Sequence, residues 1–402
     1  MFYAVALGAF GAVAALLFMG VIGVGNNWYT DPDPGWFGGQ WWWIGVTAAA
    51  GLLVGLLRRL THLPDETSGL IADLQDERVD PRPVPAILAV SAVSLIGGAS
   101  LGPEKALGSV GGGLGTWISR RRRFSAADSQ NTTLAGFGGA YGGLFSSTVI
   151  VVMMIMEIAR PGGPRFTRAL VGTIVASSVS FGLYFAVAGT VFLDAYQVPP
   201  YEFQDWHLLA AVPLGLFAAV VTAVLGLVVK LSTGLFGRLK LPGIVKATLG
   251  GILFGLVGVA LPLTMFTGSD QLGTVLADAG TLGVGLLVAL LLGKMITFGV
   301  SQASGFVGGP IFPALFIGGT GGVLVHHLLP GVPLGLAFTC MLAAVPGSMI
   351  AAPFTMVLLA AFMTEVGALQ TAPILIAVVT AFLAMEGVKY VLANRHPKHA
   401  PV

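Results

Sequence analysis

A glutamate stands in a stretch of this chain that small and apolar residues otherwise dominate. Glu104 follows Gly102 and Pro103, and because proline is well tolerated at the start of a helix, we expect Glu104 in a first helical turn. A charged side chain inside a membrane segment costs about 3 kcal/mol to insert, so such groups usually line a cavity, an ion path or a proton relay. The pattern favours a functional role for Glu104. The structural alternative is a carboxylate at a helix start that accepts hydrogen bonds from nearby N–H groups and has no role in transport.

Two more segments could contribute to the same site. Ser68, within residues 67–71, can cap the helix that follows or offer its hydroxyl to an ion. Residues 305–318 are rich in glycine and contain two prolines, which favours another helix start. Helix N-termini supply partial positive charge without a full cation, so they can hold a small anion loosely enough for it to move. We expect these two segments to meet residues 102–108 at one point.

The composition is that of an integral membrane protein. Of 402 residues, 55% are hydrophobic and 9% are charged, whereas about a quarter of a soluble domain is charged. Apolar runs that approach the roughly 20 residues needed to cross a bilayer cover 3–24, 41–57, 166–188, 208–231, 244–263 and 282–295. Shorter runs, interrupted by glycine and proline, are candidate half-helices that meet inside the membrane; they cover 87–98, 103–119, 133–145, 146–158 and 305–362.

Other classes of protein fit poorly. The single Cys340 excludes an internal disulfide, and the His and Cys residues have no metal-site spacing. A net charge of +2 gives no indication of nucleic-acid binding. We therefore expect neither an enzyme nor a protein that carries a metal or another cofactor. The first apolar run is interpreted as a retained span, because it lacks a basic start and is too long for a signal peptide.

Basic residues predict the orientation, because Lys and Arg beside membrane spans tend to stay in the cytoplasm. They cluster at 58–59, 120–123, 160–168 and 238–246. Three loops contain neither Lys nor Arg, namely 25–40, 189–207 and 264–280, and they carry acidic and aromatic residues instead. We expect these three loops to face outward.

The chain contains signs of an internal repeat. Gly102 and Gly309 each precede a proline that begins an apolar helix, at an offset of 309 − 102 = 207. Glu157 and Glu365 each end an apolar, Met-containing run, at an offset of 365 − 157 = 208. Duplicated transporter units commonly bind their substrate where broken helices of both halves meet. We expect one transmembrane domain over 1–402, with repeat halves 1–205 and 206–402 and no soluble regulatory domain.

At these motifs the chain resembles the CLC family of chloride channels and proton-coupled anion exchangers. Residues 67–71 resemble the family's Gly-Ser-Gly-Ile-Pro segment, 102–106 its Gly-Arg-Glu-Gly-Pro segment, 308–313 its Gly-Gly-Ile-Phe-x-Pro segment, and 157–161 and 352–355 two later motifs. All five occur in the family's order. The Ser-Leu-Gly-Pro-Glu sequence that ends at Glu104 is similar to that of a divergent bacterial ion-transport branch.

The resemblance implies an all-α polytopic membrane protein of two inverted repeats, whose broken helices meet in mid-membrane. It implies a homodimer with one pore per subunit, in a bacterial inner membrane. Glu104 would be the gate, because its carboxylate competes with anions and swings away when it is protonated or displaced. The implied anion-binding residues are Ser68, Gly69, Gly309, Ile311 and Phe312. We prefer to align this segment with the family's motif on Ile311 and Phe312. Alignment on Pro313 would place Pro310, which has no N–H to donate, at an anion-binding position.

Three departures from the family bear on the mechanism. Lys105 replaces a glycine, and it could pair with Glu104, draw anions in or face outward. The position of the inner glutamate that relays protons in the family's exchangers is Ile158, and only the preceding Glu157 remains as a possible modulator. The family's pore tyrosine has Tyr390 as its only candidate, in poor sequence context, and we do not count it as a ligand.

These observations predict membrane transport of a small inorganic anion, with chloride as the first choice. The protein would be a channel or a weakly coupled transporter gated by Glu104. One alternative is a proton-coupled anion exchanger. Another is a secondary transporter that moves an organic substrate on the same scaffold, and a third is a membrane protein in which these carboxylates are structural.

Overall fold

A computed structural model describes residues 1–30, 41–64, 69–190, 192–350 and 352–395. Within those ranges the chain forms α-helices and short 3₁₀ turns, and no strand. The helices are α1 (Phe2–Thr30), α2 (Trp42–Leu60), α3 (Leu70–Gln75), α4 (Val84–Ile96), α5 (Glu104–Arg122), α6 (Ala126–Leu144), α7 (Thr148–Ala159), α8 (Phe166–Ala188), α9 (Trp206–Arg238), α10 (Gly243–Ala260), α11 (Ser269–Ala277), α12 (Val284–Ala303), α13 (Ile311–Leu328), α14 (Leu334–Ile350), α15 (Pro353–Thr364) and α16 (Thr371–Arg395). The all-α prediction is confirmed.

The apolar runs of the sequence correspond closely to these helices. Each of the six long runs becomes a helix, namely α1, α2, α8, α9, α10 and α12. Eight helices in the described ranges are long and apolar enough to cross a membrane. The interrupted runs become the helices α4, α5, α6, α7, α13, α14 and α15. The chain is a multi-span membrane protein.

Two helices lie at the centre of the bundle. Every residue from Glu104 to Gly113 on α5 is buried, and so is every residue from Ile311 to Val325 on α13. By contrast, α1, α2, α8 and α16 leave much of their apolar surface uncovered, as helices that face lipid do. The starts of α5 and α13 are therefore shielded on all sides.

Main-chain hydrogen bonds join the starts of the two central helices. The Gly102 N–H donates to the Gly309 carbonyl at 2.8 Å, and the Gly309 N–H donates to the Gly102 carbonyl at 2.7 Å. This antiparallel bridge pairs the two residues that the sequence relates by an offset of 207. The arrangement agrees with two repeat halves, whose boundaries stay a prediction.

Glycine allows close contact between helices α2 and α10. Helices α2 and α10 pack so tightly that a Cβ atom added at Gly51 would lie 2.3 Å from the Ala247 carbonyl oxygen. A Cβ atom at Gly251 would lie 2.1 Å from the Thr47 carbonyl oxygen. Small residues at such crossings let the backbones of membrane helices approach each other.

We expect Gly51→Val to destabilise the protein by about 1–3 kcal/mol, because the added side chain overpacks the contact between α2 and α10. Gly45→Val on the same helix is the control, since a Cβ atom at Gly45 meets nothing within 4 Å. Thermal unfolding in detergent measures the difference. Equal unfolding temperatures for both variants would show that the contact tolerates a side chain.

Candidate functional site

Glu104 is the first residue of α5, and its carboxylate reaches the start of α13. The side chain is fully buried. Its Oε1 atom accepts a hydrogen bond from the Ile311 N–H at 2.8 Å and another from the Phe312 N–H at 3.3 Å. Both donors belong to the first turn of α13, whose N–H groups have no partner within the helix. The carboxylate oxygen therefore occupies the position that a small anion would take at this helix start.

Glycine makes room for the second carboxylate oxygen. Glu104 Oε2 is buried and, within the described ranges, has no hydrogen-bond partner. A Cβ atom at Gly102 would lie 1.9 Å from Oε2, and one at Gly309 would lie 2.3 Å from it. Any other residue at either position would force the carboxylate out of this pocket. The two glycines thus have two functions, since they also form the backbone bridge.

The start of α13 offers two N–H donors to this pocket. Pro310 has no N–H and immediately precedes the helix. The Gly309 N–H is already used in the bridge to Gly102, so its predicted role as an anion ligand has no free donor in this conformation. The donors that point at the carboxylate are those of Ile311 and Phe312, the pair that the preferred alignment selects.

Aromatic side chains surround the pocket. The Phe312 ring stacks on Phe145, with centroids 6.1 Å apart and planes inclined by 5°, and it contacts Phe192 at 4.7 Å. Tyr141 packs edge-on against Phe145 at 5.7 Å, and its hydroxyl donates to the Glu104 carbonyl oxygen at 3.0 Å. These rings separate the carboxylate from water, which strengthens its hydrogen bonds.

Tyr141 is a site residue that the sequence reasoning misses. It is fully buried on α6, and a buried tyrosine usually finds a partner for its hydroxyl. The available signal is a lone tyrosine between Gly-rich segments of a helix with few other large side chains. That signal indicates burial, but it does not indicate which carbonyl the hydroxyl contacts.

The third predicted segment is only partly described. Ser68 lies outside the described residues. Gly69 immediately precedes α3, is exposed, and a Cβ atom there would meet nothing within 4 Å. Open space beside Gly69 is compatible with an ion path, and the roles of both residues stay predictions.

Lys105 forms a buried ion pair instead of facing outward. Its Nζ atom lies 2.6 Å from Asp73 Oδ2 on α3, and each side chain is 6% exposed. No hydrogen bond joins Lys105 to Glu104 among the described residues. Asp73 is the second residue that the sequence reasoning misses. The sequence signal for such a partner was Lys105 itself, since a buried ammonium requires a counter-charge. That signal does not indicate which of several acidic residues supplies the counter-charge.

Glu157 and Tyr390 lie apart from this pocket. The Glu157 carboxylate accepts hydrogen bonds from the N–H groups of Phe354 and Thr355 at 3.0 and 2.9 Å, and from the Thr355 hydroxyl at 2.7 Å. It therefore caps the start of α15, and it also lines a cavity of about 460 Å³. Tyr390 is 70% exposed on α16, so its side chain does not enter the pocket around Glu104.

Similar proteins share this architecture. YfeO of Salmonella newport (strain SL254), which is named as a candidate ion-transport protein, is 27% identical over 306 residues. That match covers 74% of this chain and 72% of the relative, and YfeO of Salmonella agona (strain SL483) matches equally well. Among solved structures, a slow cyanobacterial Cl⁻/H⁺ antiporter superposes with a TM-score of 0.84 at 19% identity, over 98% of this chain and 97% of that one.

A CLC-type fluoride/proton antiporter also superposes, with a TM-score of 0.80 at 15% identity, over 96% of this chain and 95% of that one. At such identities these likenesses establish the fold alone. The sequence profile of the family described as "Voltage gated chloride channel" matches residues 52–386. Because that match covers most of the chain and includes α5, α13 and α15, this protein belongs to the voltage-gated chloride channel family, the CLC family that its motifs resemble.

Proposed function

We propose that this protein transports a small inorganic anion, chloride in the first instance, through a pore that Glu104 gates. One observation carries the proposal: the Glu104 carboxylate accepts the N–H groups of Ile311 and Phe312 at the start of α13. A carboxylate and a small anion require the same donors, so they compete for this position. Ser68 and Gly69 would contribute to the same path.

Gating follows from the chemistry of the carboxylate. Ionised Glu104 accepts charge-assisted hydrogen bonds, which are roughly twice as strong as neutral ones. Protonation removes the charge and weakens both bonds, so the side chain can leave and an anion can take the two N–H groups. The anion then meets a helix start, whose partial positive charge favours weak binding and passage.

The surroundings of Glu157 support passive or weakly coupled transport. The family's inner proton-relay position is Ile158, a buried apolar residue. Glu157 has three hydrogen bonds to the start of α15, which accounts for its charge as a helix cap. Transport measurements decide whether the protein is a channel or a proton-coupled exchanger. Homodimerisation and a bacterial inner-membrane location stay predictions from the resemblance.

The proposal predicts chloride efflux from liposomes that contain the purified protein, with little accompanying proton movement. A chloride electrode and a pH electrode follow both ions, with and without a pH gradient. Fluoride-loaded liposomes provide the comparison, because one similar structure is a chloride antiporter and another a fluoride antiporter. Absence of any anion flux at every pH would refute the proposal, whereas uphill proton movement driven by chloride would favour the exchanger.

Glu104→Gln is expected to give a large flux that no longer depends on pH, because glutamine resembles the protonated acid. The wild-type flux should increase as the pH falls. Glu104→Ala should also be open and insensitive to pH. Glu202→Gln, at an exposed position, is the control and should behave like the wild type. Wild-type pH dependence in both Glu104 variants would make this residue a structural carboxylate.

Glu157→Gln is expected to lower stability by about 1–2 kcal/mol, because it removes a charge and an acceptor from a helix cap. Chloride flux per folded protein should stay unchanged. Thermal unfolding and liposome flux measure the two effects, and Glu365→Gln, at an exposed helix end, is the matched control. Loss of proton movement without loss of stability would identify Glu157 as a proton relay instead.

A further inference from the structure

The ion pair between Lys105 and Asp73 lies deep in the protein, immediately beside the gate. Its two side chains are each 6% exposed and their charged atoms are 2.6 Å apart. It joins the first turn of α5 to α3, two helices whose starts belong to the predicted anion path. Lys105 directly follows Glu104 in the chain, so the ammonium and the gating carboxylate belong to the same helical turn.

Stability alone gives a weak reason for such a pair. Removing two charges from water carries a large desolvation penalty, and apolar residues of similar volume often serve equally well. Neighbouring positions on the same two helices carry buried apolar residues, namely Ala106 and Leu107 on α5 and Leu70 and Leu74 on α3. A charged pair at this position therefore calls for a reason beyond packing.

The charges near the gate give that reason. Ionised Glu104 and Asp73 contribute two negative charges, and Lys105 contributes one positive charge that lies 2.6 Å from Asp73. Glu104 Oε2 has no compensating hydrogen bond in the described ranges. When an anion replaces the Glu104 carboxylate, the net charge of this cluster stays the same. The pair thus acts on a bound anion as it acts on the carboxylate, so its effect on the anion can be measured when the carboxylate is absent.

We infer that the Lys105–Asp73 pair sets how tightly the pore holds its anion: Lys105 attracts the anion and Asp73 limits that attraction. The inference rests on the proposed function and adds two affinity-determining residues to it. Neither residue needs to touch the anion, because the effect acts through the electric field. In general, one unit charge about 10 Å from a bound anion, at an effective dielectric constant of about 20, changes the affinity for that anion roughly tenfold.

The sign of each effect follows from the charges. Asp73→Asn leaves the ammonium uncompensated, so the half-saturating chloride concentration should fall roughly tenfold. Lys105→Met leaves the carboxylate uncompensated, so that concentration should rise. The double variant Asp73→Asn/Lys105→Met removes both charges and should return towards the parent value. Lys105→Arg keeps the charge and should stay close to the parent.

The experiment uses full-length protein in the Glu104→Ala background, so that the tethered carboxylate does not compete with chloride. Chloride flux from liposomes gives the half-saturating concentration, and calorimetric titration with chloride gives the equilibrium affinity. Asp80→Asn is the matched control, because it disrupts an exposed ion pair with Arg120, in which the side chains are 51% and 58% exposed. That variant should leave both values unchanged.

Opposite shifts in the two single variants, with recovery in the double variant, support the inference. A structural role predicts instead that both single variants lose folded protein while the affinity of the remainder stays constant, and that result would overturn it. If a single variant fails to fold, the double variant and the charge exchange Asp73→Lys/Lys105→Asp take its place. A charge exchange that leaves the chloride affinity unchanged also overturns the inference. Absence of flux in the Glu104→Ala parent would refute the proposed function itself.

Discussion

Two main-chain hydrogen bonds between Gly102 and Gly309 hold together the starts of the central helices, and the site depends on them. They fix α5 and α13 end to end, with their N-termini converging on one small volume. Glycine is required at both positions because Glu104 Oε2 occupies the space that a Cβ atom would fill. Since the two glycines lie 207 residues apart in the chain, the pocket exists only when both segments are in place.

Burial sets a second constraint, which the molecule meets differently for each charge. Lys294 is fully buried on α12, and three carbonyl oxygens of residues 264–266 accept its hydrogen bonds, at 2.8 to 3.2 Å. Lys105 has a carboxylate partner, and the partly buried Glu157 accepts hydrogen bonds from the start of α15. Glu104 is less completely satisfied, because one of its oxygens lacks a partner in the described ranges. An incompletely satisfied charge can be displaced with less loss of free energy than the others.

Much of the fold follows from the sequence, because a helix that crosses lipid must be apolar for about 20 residues and the chain has few other long apolar runs. The start of α5 and the N–H donors of α13 could also be predicted from the sequence, since proline and glycine mark helix starts. The roles of Asp73 and Tyr141 could not be predicted from the sequence in the same way. Their roles depend on which helices become neighbours, and no periodicity along α3 or α6 contains that information. Ser68, which the sequence places in the site only as a prediction, lies outside the described residues.

The contact between Glu104 and α13 also has a kinetic meaning. A ligand attached to its own receptor by a short side chain binds at an effective concentration on the order of millimolar or more. Under the proposed function Glu104 would be such a tethered competitor. The free anion would then have to exceed that effective concentration, or bind only after the carboxylate has left the helix start. The residence time of the carboxylate at Ile311 and Phe312 would then set the pace of each transport event, and an abundant anion would accelerate its own passage.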